Sequence, residues 1–247
     1  MIQTIQVDKV SKSFGKKEVL NDVTISIEKG QIYGFIGPSG AGKTTLVKMI
    51  VGMDKADTGT IQVLDKMMPN LEILQEIGYM AQSDALYEEL TGKENLTFFA
   101  ALYKLNRAEQ KKRITYAAEL VNLTADLNKK VGAYSGGMKR RLSLALALIQ
   151  NPKILILDEP TVGIDPELRL SIWNELMRLK KEEEKTIIVT THVMDEAEKC
   201  DVVAMVRDGR ILTSGSPKEL KAYYQAENFD EVFLKAGGNN HENLGNY

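Results

Sequence analysis

Residues 37–44 read GPSGAGKT, and no other stretch narrows the fold so far. The octet fits G-x-x-x-x-G-K-[ST] at every fixed position. Such a loop needs a strand before it and a helix after it. Residues 31–36 (QIYGFI) are apolar and partly aromatic, as a buried strand is, and residues 45–51 (TLVKMIV) read as the first turns of a helix. Glycines let backbone N–H groups curl around phosphate oxygens. Gly37, Pro38, Ser39, Gly40, Ala41 and Gly42 would form that cradle, with Lys43 as a point charge near the outer phosphates. The Thr44 hydroxyl would reach a magnesium ion, and Thr45 continues the helix whose positive end faces the anion.

Two further features carry chemistry. Residues 154–157 (ILIL) run straight into Asp158-Glu159-Pro160. Adjacent carboxylates at the end of a buried strand are costly without cations or a reactive water. Side chains alternate along a strand, so one can serve magnesium through its water shell while the other addresses an attacking water. An ordinary acidic turn is the alternative. In Tyr134-Ser135-Gly136-Gly137-Met138, ahead of the helical run 142–149 (LSLALALI), Ser135 takes the N-cap position. Gly136 and Gly137 then expose the first free N–H groups of the helix. That is a second anion site on one chain, or else a plain Ser-Gly-Gly helix start.

The rest of the chain frames these motifs. Residues 3–10 and 23–27 alternate like half-buried antiparallel strands, with 11–21 connecting them. Asp57-Thr58-Gly59 signals a turn into a strand at 61–64, and 77–81 (IGYMA) form a strand ending at Gln82. Thr91 and Glu94 fit a capping box, and 109–121 form a second amphipathic helix, so 83–150 are expected to be a helical insertion in an α/β chain. A strand at 186–190 (TIIVT) follows a charged helix at 167–184; Asp208-Gly209 joins a hairpin, and Ser216-Pro217 opens a last helix. Residues 237–247 (GGNNHENLGNY), with His241, are expected to form a mobile tail. The 247 residues, 43% of them hydrophobic, suit one domain with a subdomain. A net charge of −2 gives no reason to expect a nucleic-acid partner. Cys200 is the only cysteine, which excludes an internal disulfide and fits a reducing cytosol. The N-terminus carries no expected signal, and no run of about 18 apolar residues offers a membrane span.

The motifs, in this order, resemble the nucleotide-binding subunit of an ATP-binding-cassette (ABC) transporter over residues 2 to about 224. GPSGAGKT resembles the Walker A loop, ILILDEP the Walker B strand and YSGGM the signature, usually LSGGQ. Gln82 stands where the Q-loop glutamine belongs, residues 162–165 (VGID) where the D-loop lies, His192 at the switch histidine and Phe14 at the aromatic residue that stacks on adenine. Met138 and Tyr134 depart from the signature, and Met138 cannot donate the hydrogen bond of a glutamine. That variant, with LYEELT at 86–91, resembles the subgroup that exports drugs, antibiotics or polymers.

The resemblance implies an α/β fold: a P-loop NTPase (RecA-like) core with an N-terminal antiparallel β-subdomain and an inserted α-helical subdomain. The nucleotide-binding domain would span 1–225, and 226–247 would be a C-terminal extension. It implies ATP hydrolysis with Mg2+, Glu159 as general base, and Thr44, Gln82 and Asp158 toward the metal. Lys43 and His192 would address the γ-phosphate. Ser135, Gly136 and Gly137 would reach the ATP of a second nucleotide-binding domain, identical or different, and Asp165 would bridge the two subunits. A transmembrane permease would dock on the helical insertion, placing the chain in the cytoplasm, peripheral on the inner face of the membrane. Other readings stand beside these roles. Phe14 could be a core aromatic, Gln82 an exposed strand end, His192 structural, and Asp165 simply the start of a helix. A soluble ABC ATPase of DNA repair or the ribosome would show long coiled-coil insertions or two cassettes, and neither appears. A GTPase would show Asn-Lys-x-Asp, but Asn128-Lys129 is followed by Lys130 and Val131.

Overall fold

The protein is described by a computed structural model covering residues 3–82 and 85–238. Met1, Ile2, Ser83, Asp84 and residues 239–247, His241 among them, lie outside the described residues. The chain forms two compact units, Met1–Leu71 with Ile188–Tyr247, and Glu72–Ile187.

In the first unit, β1 (Gln3–Phe14) pairs antiparallel with β2 (Lys17–Glu28). Ile5, Val7 and Val10 of β1 and Leu20, Val23, Ile25 and Ile27 of β2 supply the buried face. These strands run further than their alternation suggests. The segment 11–21, expected as a connection, is mostly strand: pairing continues to Phe14↔Lys17 and turns at Gly15, φ 60°. Register shifts between Val7 and Ser13 break the two-residue period, so the sequence stops looking like a strand where the ladder continues. The strand β3 (Ile32–Ile36) is buried at all five positions and leads through the glycine-rich loop into α1 (Lys43–Val51). Next come β4 (Thr58–Val63), antiparallel to β1, and the two-residue β5 (Lys66–Met67), which sequence reading missed.

The second unit opens with a 3-10 turn at Leu71–Glu76 and β6 (Ile77–Met80). The helices α2 (Gly92–Leu102), α3 (Arg107–Leu120) and α4 (Gly136–Leu148) then precede β7 (Ile154–Asp158). Strands β6 and β7 are parallel, in register from Ile77↔Ile154 to Met80↔Leu157. The capping box at Thr91 is formed as expected: its side chain accepts from Glu94 N, and the Glu94 carboxylate accepts from Thr91 N at 2.8 Å. Asn106 caps α3, two residues earlier than the hydrophobic spacing indicated. The helix α5 (Pro166–Glu183) buries Leu168, Ile172, Trp173, Leu176 and Leu179 on one stripe. Full burial of a side chain of that kind is worth about 1.5–3 kcal/mol.

The strand β8 (Thr186–Thr191) carries the chain back to the first unit, where α6 (Met194–Ala197), β9 (Val202–Arg207) and β10 (Arg210–Gly215) follow. There β9 is parallel to β3 and antiparallel to β10. Asp208 (φ 49°) and Gly209 (φ 75°) form the expected two-residue turn. Ser216 and Glu219 box the start of α7 (Pro217–Tyr223). The helix α8 (Phe229–Gly238) was not anticipated and takes up part of the segment read as an extension. Its signal was there: Phe229, Val232 and Ala236 are buried and Phe233 half-buried, at i, i+3, i+7 and i+4.

Thr91→Ala and Ser216→Ala should each lower stability by about 1 kcal/mol. Urea unfolding checks this: the midpoint should fall with its slope unchanged, and an unmoved midpoint would show that the caps are dispensable.

Candidate active site

The phosphate-type loop is built by its neighbours in the first unit. Gly37 leaves β3 so close to β9 that a Cβ would overlap the carbonyl oxygen of Val206. Gly42, φ 106°, sits 2.8 Å, at its would-be Cβ, from the carbonyl oxygen of Val19. The hairpin turn fixes the loop from outside: Gly209 N donates to Ala41 O at 3.1 Å, and Asn21 N donates to Gly209 O at 2.9 Å. Lys43 is only 5% exposed, and its Nζ donates to Gly37 O at 2.7 Å and Pro38 O at 3.0 Å. Pro38, Ser39 and Gly40 are exposed, while Thr44 and Thr45 are half-buried in the first turn of α1.

The other predicted residues of this unit are Phe14 and His192. Phe14 is 52% exposed, which removes the core reading, and the Lys12 ammonium lies 5.3 Å from its ring centroid. His192 is exposed just after β8. Thr191 fixes the backbone beside it, for Thr191 Oγ1 donates to Glu196 Oε2 at 2.7 Å and accepts from Val193 N at 3.0 Å. Glu196, 1% exposed, was missed by sequence reading.

In the second unit the structure gathers Gln82, Asp158 and Glu159. Asp158 is fully buried at the end of β7; Glu159 is half-buried and Gln82 exposed. Glu159 has φ 54°, left-handed backbone that a residue with a Cβ adopts at some cost. The carbonyls of these strand ends converge on Arg140, itself 7% exposed. Arg140 Nη1 donates to Ala81 O at 2.7 Å and Gln82 O at 3.0 Å; Nη2 donates to Asp158 O and, at 2.7 Å, to Glu159 O. Sequence reading missed Arg140. Its signal was an arginine four and seven positions ahead of Leu144 and Ala147 on a buried helix face. Burial, Asp158 and, in opposition, Arg140 act on the Tyr79 hydroxyl, whose pKa is pushed up to about 12, so it stays protonated.

Ser135 caps α4 as predicted, with φ −66° and ψ 162°, and its Oγ accepts from Met138 N at 3.2 Å. Residue 138 serves this cap through its backbone, so methionine keeps it. Ser135 and Gly136 are exposed and Gly137 half-buried. Tyr134 is buried, and its hydroxyl donates to Asp126 O at 2.8 Å. Asp165 starts α5, its Oδ1 accepting from Leu168 N at 2.9 Å.

The residues suit Mg-ATP. The loop's close approaches leave no room for side chains at Gly37 and Gly42, as a backbone phosphate cradle requires. Among the described residues no cluster of three or more His, Cys, Asp or Glu could cage a metal. Magnesium is held by one or two carboxylates plus hydroxyl, water and phosphate oxygens, and Thr44, Asp158 and Gln82 offer hard oxygen donors of that kind.

Residues 20–162 match the family described as ABC transporter. The chain is 41% identical, over 94% of its length and 76% of the relative's, to Nod factor export ATP-binding protein I of Rhizobium sp. (strain N33). It is 38% identical to linearmycin resistance ATP-binding protein LnrL of Bacillus subtilis (strain 168), over 87% of this chain and 70% of that one. It is also 41% identical to ABC transporter G family member 23 of Dictyostelium discoideum, over 94% of this chain but only 33% of that protein. Among solved structures, the ATP binding subunit of an ABC transporter superposes with TM-score 0.87 at 27% identity, covering 95% of this chain and 99% of that one. The ATP-binding cassette MJ0796, as a dimer in a post-hydrolysis state with ADP and Pi, gives TM-score 0.81 at 26% identity, over 86% and 98%. These neighbours give the fold class expected from the sequence.

Gly37→Ala should keep the far-ultraviolet circular dichroism and weaken ATP binding at least ~10-fold, about 1.4 kcal/mol. Titration with a fluorescent ATP analogue measures it; unchanged affinity would mean that the loop tolerates the displaced Val206 contact.

Proposed function

This chain belongs to the ABC transporter family as an ATP-hydrolysing cassette, and from that premise we propose that it closes with a second cassette around two ATP molecules and drives a membrane partner in export. The observation that carries the reading is a pair of anion-binding backbone arrangements on one chain: the Lys43 loop and the Ser135-capped end of α4. A helix N-terminus stabilises a γ-phosphate only within contact distance. In a head-to-tail pair the loop of one copy meets Ser135 of the other, so both subunits hold each ATP, and each chain's Gln82 and Glu159 serve the ATP on its own loop. Loss of the γ-phosphate then removes the bridge and lets the cassettes part.

Glu159 takes a proton from the attacking water as its oxygen bonds to the γ-phosphorus and the bridging bond to ADP breaks. Gln82 and His192 orient the water and the γ-phosphate. Lys43 and the loop amides stabilise the charge on the transferring oxygens, so positioning and electrostatics do most of the work. Thr44, Asp158 and Gln82 would hold magnesium, which would supply charge neutralisation on the phosphates. Phe14, its ring already half open to solvent, stacks on adenine, and Asp165 bridges the two cassettes.

Export fits the relatives named for Nod factor export and linearmycin resistance. Among the described residues no helix is long and apolar enough to cross a membrane; in this reading a permease partner supplies the translocation path. Tyr87, Phe98 and Leu102, in the segment that follows Gln82, are between 40 and 59% exposed, and the Tyr87 and Phe98 ring centroids lie 5.1 Å apart, which leaves an apolar surface there. A cytoplasmic helix of the permease would cover it, holding the chain at the inner face of the membrane.

Glu159→Gln should bind ATP, stop turnover and accumulate dimers in size-exclusion chromatography with ATP; unchanged steady-state hydrolysis would refute the assigned base. Ser135→Arg should abolish hydrolysis while the monomer keeps its ATP affinity. A large loss of monomer affinity in equilibrium titration would contradict the role of Ser135 across the interface.

A further inference from the structure

Arg140 lies five residues past Ser135 on α4 and ties that helix to both strand ends of the second unit. Five residues of α-helix advance about 7.5 Å, roughly one and a half turns. The cap and the guanidinium therefore ride on one short rigid body. A guanidinium offers four Nη hydrogens in a fixed plane, and here they meet the carbonyls of Ala81, Gln82, Asp158 and Glu159. Two of those carbonyls belong to the very residues whose side chains are assigned to water.

We propose that Arg140 is a positioning residue that couples the α4 N-terminus, where the other cassette's ATP is engaged, to the placement of Gln82 and Glu159. The inference rests on the two-site reading above and adds a route between the sites. A shift of α4 on engaging phosphate moves the fork, and the fork moves both peptide groups together. The left-handed backbone of Glu159 makes that grip consequential. The bond from Arg140 to Glu159 O helps to hold a conformation that a free chain would leave. Lysine could follow the charge but not the plane, because its ammonium has no fixed fork. Glutamine has only two donors and a shorter reach.

The test uses the full chain in a steady-state ATPase assay, with Arg140→Met and the milder Arg140→Lys. Both should bind a fluorescent ATP analogue with affinity within about twofold of wild type. The kcat of Arg140→Met should fall about 100-fold, the smaller end of what a misplaced base costs. The Hill coefficient should drop from near two, the number of coupled sites, toward one. Arg140→Lys should still fold, at a lower thermal midpoint because buried carbonyls lose donors, and should show the same loss of cooperativity, and millimolar guanidinium should restore turnover to Arg140→Ala. ATP-dependent dimers should still form when Arg140→Met is combined with Glu159→Gln. A kcat within about threefold of wild type, or an unchanged Hill coefficient in Arg140→Lys, would overturn the proposal. So would equal losses of affinity and turnover that guanidinium does not repair, the mark of a purely structural arginine. Non-cooperative hydrolysis by the wild-type chain would remove the two-site reading itself, and the coupling with it.

Discussion

Backbone carbonyls that run past the last rung of a parallel strand must find a donor, and burial makes the need acute. In this protein a buried cation meets it in each unit. Past β3, the carbonyls of Gly37 and Pro38 are taken by Lys43, while that of Ala41 is taken by the amide of Gly209. Past β6 and β7, four carbonyls are taken by Arg140. The strand ends are thereby fixed in place, and on them stand the phosphate loop, Gln82, Asp158 and Glu159. Ligands of open α/β sheets bind beyond the carboxyl ends of the strands. The same satisfied carbonyls that let the fold exist there also define where its chemistry can be.

Departures from the family signature fall where the backbone carries the role. Met138 supports the Ser135 cap through its amide, and that contact survives any side chain. Tyr134, in place of leucine, is buried and adds a hydroxyl bond to Asp126 O. Neither change touches the serine or the glycines that would meet a phosphate.

How much the sequence revealed depended on range. Caps at Thr91, Ser135, Asp165 and Ser216 were legible because donor and acceptor lie three residues apart. The Asp208-Gly209 hairpin and the apolar strands ending at Ile36 and Asp158 were legible for the same reason. The far ends of β1 and β2 were not, since bulges scramble the alternation that marks a strand. Helix α8 was hidden by the Gly237-Gly238 pair that ends it and the polar residues after it. Arg140 was the costliest omission. Its place on the buried face of α4 was legible, but its partners stand up to 59 positions away, and no local pattern names the four carbonyls it meets. Glu196 escaped notice likewise, as a buried acid whose hydroxyl partner is visible only once the chain turns after β8.

Glutamate at position 159 sits uneasily with its own main chain. At φ 54° glycine would be relaxed, and asparagine nearly so. Selection for thermal robustness alone would favour either of them, at the expense of the carboxylate. With the role of base proposed for Glu159, the position is one where durability and turnover would pull in opposite directions. Heat-adapted variants of this cassette should gather their gains elsewhere and leave that residue as it is.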